Sequence, residues 1–352
     1  MGRWLTRDDL GAAAGSAAGL LLVSPDAASA FPLGPEDRRT AAGLTAAALR
    51  AAGVGERDRV AVALAEPAGS LWAAAAAEVA QAAAGLGPRG RMRLHHALSA
   101  LRATTLVATP TGAMDLLARL HLEFLLDPLD LGLAHIVLTG EIASRSTLRH
   151  LAGEFGARVT EVYASPFGGT ALAWRAAEED PLTPLADGLL GLAALGKDAP
   201  ADPGAPLAEL IVTPRGHATL GDATLRTGHV VRGGEGLPAP AHTVGDHVLV
   251  RGVWLALPRL EKALAKIDGV AGWDLTVSRP GTLDSAVLTV TFGRESLVGN
   301  PMWRSRVQEA VRALTPVSIG VEIAPEAAEG PRPGTVTDLR GHHLGRDRAL
   351  VT

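Results

Sequence analysis

Short apolar runs recur along the first two hundred positions, each followed by a longer stretch with apolar residues at helical spacing. Val60–Leu64, Thr105–Ala108, His135–Leu138 and Arg158–Val162 show little polar alternation. That is the pattern of strands covered on both faces. Between and before them the spacing predicts helices over Glu36–Ala52, Ser70–Ala84, His95–Leu101, Met114–Leu126 and Leu148–Phe155, with Gly53 and Gly85 as stops. A short strand at Leu20–Val23 leads into a turn at Ser24-Pro25-Asp26. Alternating strands and helices predict a mostly parallel sheet covered by helices, with right-handed crossovers. Gly168–Leu207 is rich in turn residues and reads as irregular, and Glu209–Thr213 resumes a strand.

The rhythm then changes. One strand is expected to cross Arg251-Gly252 and run into an amphipathic helix near Leu257, with Pro258 tolerated in its first turn. Strands at Trp273–Ser278 and Ala286–Phe292, a helix over Met302–Leu314 and a strand at Val317–Ile323 follow. This order suits a small split βαβ unit. The fold class is therefore α/β: a large, mostly parallel sheet domain covered by helices, with a small C-terminal α+β domain. The expected boundaries are 1–245, 246–340 and a tail over 341–352. The segment from Pro325, rich in proline, glycine and charge, is expected to be mobile. Ala208–Glu261 spans the junction and reads as the hinge.

Composition narrows the chemistry. A chain of 352 residues suits two domains, and 47% apolar content with a net charge of −4 describes an ordinary globular protein. The slightly acidic balance and the lack of a dense Lys/Arg run argue against nucleic acid as a partner. No apolar run is long enough to predict a membrane span. The absence of cysteine removes disulfides, thiolate metal sites and cysteine nucleophiles together, and fits a cytoplasmic protein. Basic charge is almost all arginine; the only lysines are Lys197, Lys262 and Lys266.

Sheets of this kind bind ligands outside the carboxyl ends of their strands. Thr109-Pro110-Thr111, Gly140-Glu141, Tyr163-Ala164-Ser165 and Thr213-Pro214-Arg215 occupy those ends. Glu141 is a candidate for charge stabilisation or for a helix N-terminus. Tyr163, the only tyrosine, is a candidate for ring stacking or for core packing. Arg226 and Arg251 lie near glycines and offer planar recognition of an anion, or an ion pair. No H-E-x-x-H occurs, so no metal site is expected; neither a G-x-G-x-x-G after a strand nor a G-K-[ST] phosphate loop is present.

These stretches, in order, resemble the phenylacetate–coenzyme A ligase and coenzyme F390 synthetase branch of the adenylate-forming enzymes. The resemblance runs from about residue 20 to 340. It is carried by T109-P-T, G140-E, V162-Y-A-S, E209-L-I-V-T, L225-R-T-G and V250-R-G-V-W-L-A-L-P-R-L-E. It implies activation of a carboxylic acid with ATP and Mg²⁺ and transfer of the acyl group to coenzyme A or another acceptor, with rotation of the small domain between the two steps. By position it implies Tyr163 against adenine, Glu141 and Arg226 as the conserved glutamate and arginine, and Asp246 at the hinge. Thr109, Ser165, His229 and Arg251 join the implied ligand-binding set.

The same comparison exposes four departures. The phosphate loop is V23-S-P-D-A-A-S-A-F-P, the Mg²⁺-associated glutamate is replaced within Y163-A-S-P-F, the ribose aspartate is His229, and no lysine follows Lys266. Arg332 stands nearest to the expected tail lysine. The expected function is thus a divergent ligase-like protein that binds an acyl or aryl carboxylate, or its thioester on CoA or a carrier protein. The alternatives are a non-catalytic partner of a biosynthetic enzyme and a genuine acid–CoA ligase. A homodimer is implied by the resemblance alone.

Overall fold

A computed structural model describes residues 3–88, 90–202 and 204–348. Contacts divide the chain into two compact units. The first runs to Ser24 and resumes from Ser29 to Ala241; the second holds Pro25–Ala28 and the chain from His242 onward. Among the described residues, no helix is long and apolar enough to cross a membrane.

The first unit is built on a seven-stranded sheet. Its order is Thr183–Pro184, Ala171–Arg175, Arg158–Ala164, His135–Leu138, Thr105–Ala108, Arg59–Ala63, Ala82–Gly85. The five strands from Arg158–Ala164 to Ala82–Gly85 are parallel, and the other two extend the sheet antiparallel. Side chains of a strand alternate between its faces, and each face here has its own helices to meet. Ala61, Leu106, Ile136 and Leu138 pack with Leu98, Leu116, Leu151 and Phe155 on one side. Val60, Val62, Val107, Val137 and Val162 pack with Leu49, Trp72 and Ala76 on the other. Both faces being covered is why the strands read as unbroken apolar runs.

The expected helix over Ser70–Ala84 is shorter. It ends at Ala77, and Ala82–Gly85 is an edge strand paired with Arg59–Val62. Alanine's helix preference is small per residue, and strand pairing overrides it. The stretch after Gly168 is likewise more regular than expected, holding strands Ala171–Arg175, Thr183–Pro184 and Leu190–Ala193.

A second sheet of this unit runs Trp4–Leu5, Thr224–Arg232, Leu207–Val212, Leu190–Ala193. Trp4 and Leu5 pair parallel with Thr224 and Leu225. Leu210, Val212 and Leu225 from this sheet share a core with Tyr163, Phe167 and Leu172, and with Leu22, Phe31 and Leu33 of the hairpin Leu20–Val23/Ala30–Leu33. Helix Pro35–Ala51 leaves that hairpin with proline in its first turn, and Asp37 accepts the Gly34 N–H at 2.8 Å. That bond satisfies one N–H at the start of the helix from the side chain three residues on.

In the second unit, the single strand expected across Arg251-Gly252 is a hairpin, His247–Val250 with Val253–Ala256. Arg251 (φ 51°) and Gly252 (φ 74°) are both left-handed, as a two-residue hairpin turn requires. Helix Leu257–Leu264 follows, then a sheet in the order Ile319–Ile323, Ser285–Phe292, Val270–Ser278, Thr335–Asp338, with helix Pro301–Arg312. Leu275, Val277, Leu288, Val290, Val307 and Val311 make its core.

The segment from Pro325 is not loose, contrary to expectation. Thr335–Asp338 pairs parallel with Asp274–Val277. Behind it the Arg340 guanidinium reaches Asp284 at 2.5 Å, Asp338 at 2.7 Å and the Leu249 carbonyl at 2.9 Å. Burial alone would raise the Asp338 carboxyl, but Arg340 and the backbone N–H groups of Arg340 and His343 outweigh it and hold it below the usual range. Charge pairing, invisible to a composition argument, orders this segment. Removing one partner of such a buried network strands the others. Arg340→Met should cost the second unit about 3–5 kcal/mol, read as an earlier urea transition; a loss below about 1 kcal/mol would show that the cluster is incidental.

Candidate functional site

The strand ends of the first unit bring Thr109 and Glu141 together. Thr109 N-caps helix Pro110–Arg119, its hydroxyl accepting the Gly112 N–H at 3.1 Å. Glu141, just beyond the neighbouring strand, accepts the Thr111 N–H at 3.0 Å and the Thr111 hydroxyl at 2.8 Å. A carboxylate at a helix N-terminus is favoured by the helix dipole. Glu141 therefore fastens two adjacent strand ends, and its lone pairs are partly committed to that task.

Tyr163 ends the next strand and points into the core. Its ring is 6% exposed and meets His229 edge to face at 5.5 Å, with the hydroxyl 3.1 Å from Nδ1. Burial, reinforced by the Arg7 charge, lowers the His229 pKa to about 3. Burial likewise pushes the Tyr163 hydroxyl up. The two form a neutral, buried pair.

Arg226 is not the accessible anion receptor that its glycine neighbourhood suggested. Its side chain is 4% exposed and fully engaged. It meets the buried Glu209 at 2.6 Å and Asp198 at 3.1 Å, and donates to the Ala194 and Lys197 carbonyls. The guanidinium lies over the Trp4 ring at 5.3 Å. The second oxygen of Glu209 accepts the Gly228 N–H at 2.9 Å.

The other expected residues belong to the second unit. Asp246 pairs with Arg346 at 2.8 Å, and Arg346 also reaches Glu261 at 2.7 Å. Arg251 donates to the Asp284 carbonyl at 2.5 Å. Arg332 forks onto the Asp274 carboxylate, 2.9 Å on its Nη1 side. Each arginine thus has a partner within its own unit.

A cavity of about 250 Å³ opens within the first unit. Phe31, Leu33, Leu172, Leu189, Val212 and Leu225 give it apolar walls. Ser165 lines it too, its hydroxyl accepting the Phe167 N–H at 3.3 Å. Of the expected strand-end stretches, Thr213-Pro214-Arg215 also borders it. The sequence reading missed Asp37 and His217, which complete the lining. Asp37 sits where a helix cap is expected, which was its only signal. His217 lies in a P-R-G-H turn with no recognisable spacing.

No protein-family model matches the chain, and a search of curated proteins finds no match. Solved structures do match. 2-Hydroxyisobutyryl-CoA ligase in complex with 2-HIB-AMP and CoA aligns with a TM-score of 0.79 at 18% identity, over 96% of this chain and 80% of its own. The chain has the adenylate-forming ligase fold. Amide bond synthetase McbA from Marinactinospora thermotolerans aligns at 0.62 with 15% identity, over 88% of this chain and 66% of its own. A malonyl-CoA ligase with methylmalonyl-CoA and AMP bound aligns at 0.60 with 16% identity, over 89% and 70%. In this chain R226-T-G-H lies buried within the strand Thr224–Arg232.

Two outcomes follow from that burial. Arg226→Met leaves Glu209 buried without its cation, and should destabilise the first unit by about 3–5 kcal/mol; urea unfolding within about 1 kcal/mol of wild type would refute the assignment. The second concerns pH. The unfolded chain protonates His229 near pH 6.5 and the folded chain only near 3, so stability is full above 6.5 and falls as pH drops through that window. His229→Gln should remove about 2 kcal/mol of the stability lost between pH 6.5 and 5. Identical pH dependence in urea titrations of both proteins would contradict this.

Proposed function

We propose that this chain is a divergent ligase-like protein that binds a small acyl or aryl group, as carboxylate or thioester, and does not perform ordinary ATP-dependent acyl-adenylate formation. The carrying observation is the state of Arg226 and His229. The resemblance puts a ribose-binding carboxylate at position 229. Here that position holds a neutral imidazole, buried against Tyr163. Arg226 is committed to Glu209 rather than to a ligand.

The hairpin loop Ser24–Ser29 supports the same reading. A phosphate loop works by presenting free N–H groups to anionic oxygens. In this loop the Ser24 N–H bonds to the Ser29 carbonyl at 2.9 Å, the Ser29 N–H to the Ser24 hydroxyl at 3.0 Å, and the Ala28 N–H to Asp26 at 3.1 Å. The loop closes on itself and carries a carboxylate besides. These residues do not fit a triphosphate with Mg²⁺.

The cavity supports the binding half of the proposal. Its 250 Å³ exceeds the roughly 150 Å³ that admits a benzene ring. It suits one acyl or aryl group. Thioesters of CoA or of a carrier protein would place only their acyl end there.

Thermal shift and pyrophosphate release test both halves. Aromatic and branched aliphatic acids, or their thioesters, should raise Tm by a few degrees at saturating concentration, while ATP with Mg²⁺ leaves it unchanged and no acid-dependent pyrophosphate appears. Acid-dependent pyrophosphate release would overturn the loss of adenylation. Silence across all acids and thioesters would favour the scaffold role instead.

A further inference from the structure

Arg215 closes the Thr213-Pro214-Arg215 stretch, and the proposed function leaves it unused. Ala186, Asp187, Arg215 and Gly216 line the apolar cavity yet are exposed, which puts them at its mouth. Two turns meet there. Ala186–Leu189 is closed by the Leu189 N–H on the Ala186 carbonyl at 3.3 Å, and Pro214–His217 by the His217 N–H on the Pro214 carbonyl at 3.2 Å. The Thr213 N–H bonds to the Leu189 carbonyl at 3.0 Å and so fixes one turn against the other. The Arg215 guanidinium lies on Gly188, between the lining residues Asp187 and Leu189. Gly188 is its seat: a Cβ there would stand 2.9 Å from the Arg215 Cζ, and its φ of 66° is left-handed.

The titratable groups of the lining are Glu36, Asp37, Asp187, Arg215 and His217. Glu36 pairs with Arg39 at 2.9 Å. Asp37 accepts the Gly34 and Ala218 N–H groups at 2.8 and 3.1 Å. Burial lowers the His217 pKa and keeps that ring neutral. Arg215 and Asp187 make no hydrogen bond or ion pair among the described residues. An apolar ligand with a carboxylate buries its hydrocarbon and leaves its charge at the mouth, because a buried charge is costly. A guanidinium forks onto such a carboxylate through two N–H bonds, a match that an uncharged ester lacks. Asp187 repels the same charge through water, at a fraction of the strength of a direct forked bond.

We propose that Arg215 selects the ligand of this cavity by its carboxylate: a small apolar acid enters ring or chain first and rests its ionised carboxylate on the guanidinium. The cavity then holds the free acid in preference to its neutral ester or thioester. This rests on the proposed acyl- or aryl-binding role and narrows it to the ionised acid.

Calorimetry at neutral pH with benzoate, methyl benzoate and toluene separates the possibilities. Wild type should bind benzoate roughly threefold to tenfold more tightly than methyl benzoate. Arg215→Gln should erase that preference and leave methyl benzoate and toluene unchanged, which also reports that the cavity is intact. Arg215→Lys, which keeps the charge without the fork, should recover part of the loss. Asp187→Asn should tighten benzoate about twofold without affecting toluene. Methyl benzoate binding as tightly as benzoate, or benzoate binding unchanged in Arg215→Gln, would overturn this proposal while leaving acyl and aryl binding in place. Absence of binding by all three probes to wild type would overturn both.

Discussion

The second sheet of the first unit depends on one buried ion pair. Arg226 and Glu209 face each other across adjacent strands, and their remaining hydrogen-bonding capacity goes to Gly228, Asp198 and two turn carbonyls. Trp4 covers the guanidinium from the neighbouring strand. One side chain thus touches strands Trp4–Leu5 and Leu207–Val212 and the turn that leaves Leu190–Ala193. Burying two charges gains little net free energy, because desolvation offsets most of the Coulomb term. What the pair supplies is register. Glu209 sits at an irregularity, where the ladder shifts before Ile211, and in this alignment both carboxylate oxygens find donors.

That commitment sits within a fold shared at low sequence identity. Fold and function are separable because sites are a thin layer on a scaffold. Here the scaffold survives at 18% identity to its structural neighbour, with both faces of the parallel sheet packed. Polar residues near its strand ends are bonded to one another. Glu141 bonds to Thr111, Tyr163 meets His229, and Arg226 holds Glu209. A cavity of about 250 Å³ lies beside helix Pro35–Ala51, among mainly apolar walls.

Much of this was legible in the sequence. Strands buried on both faces announce themselves as apolar runs, so the parallel core and the adjacency of Thr109 and Glu141 were readable. The alanine-rich edge strand at Ala82–Gly85 was not, because alanine carries almost no positional information. Arg251-Gly252 was read through as strand, since arginine rarely adopts the left-handed backbone that makes it a turn. The burial of Arg226 was hidden because its partners lie 17 and 28 residues away and meet it only through strand pairing. His217 was harder still: the carboxylate beside it is fixed across a separation of 181 residues, and its tautomer is set by amides of its own turn.

The pairing of Trp4–Leu5 with Thr224–Leu225 has a consequence for biosynthesis. Trp4–Leu5 finds its partner only after some 220 further residues have left the ribosome. Until then Trp4, Leu5 and Leu10 have no sheet to cover them, while the central parallel strands between residues 59 and 164 can already assemble. A nascent chain of intermediate length is therefore an ordered α/β core with the apolar segment Trp4–Leu10 still uncovered. It is at that segment that a cell's chaperones have most to hold.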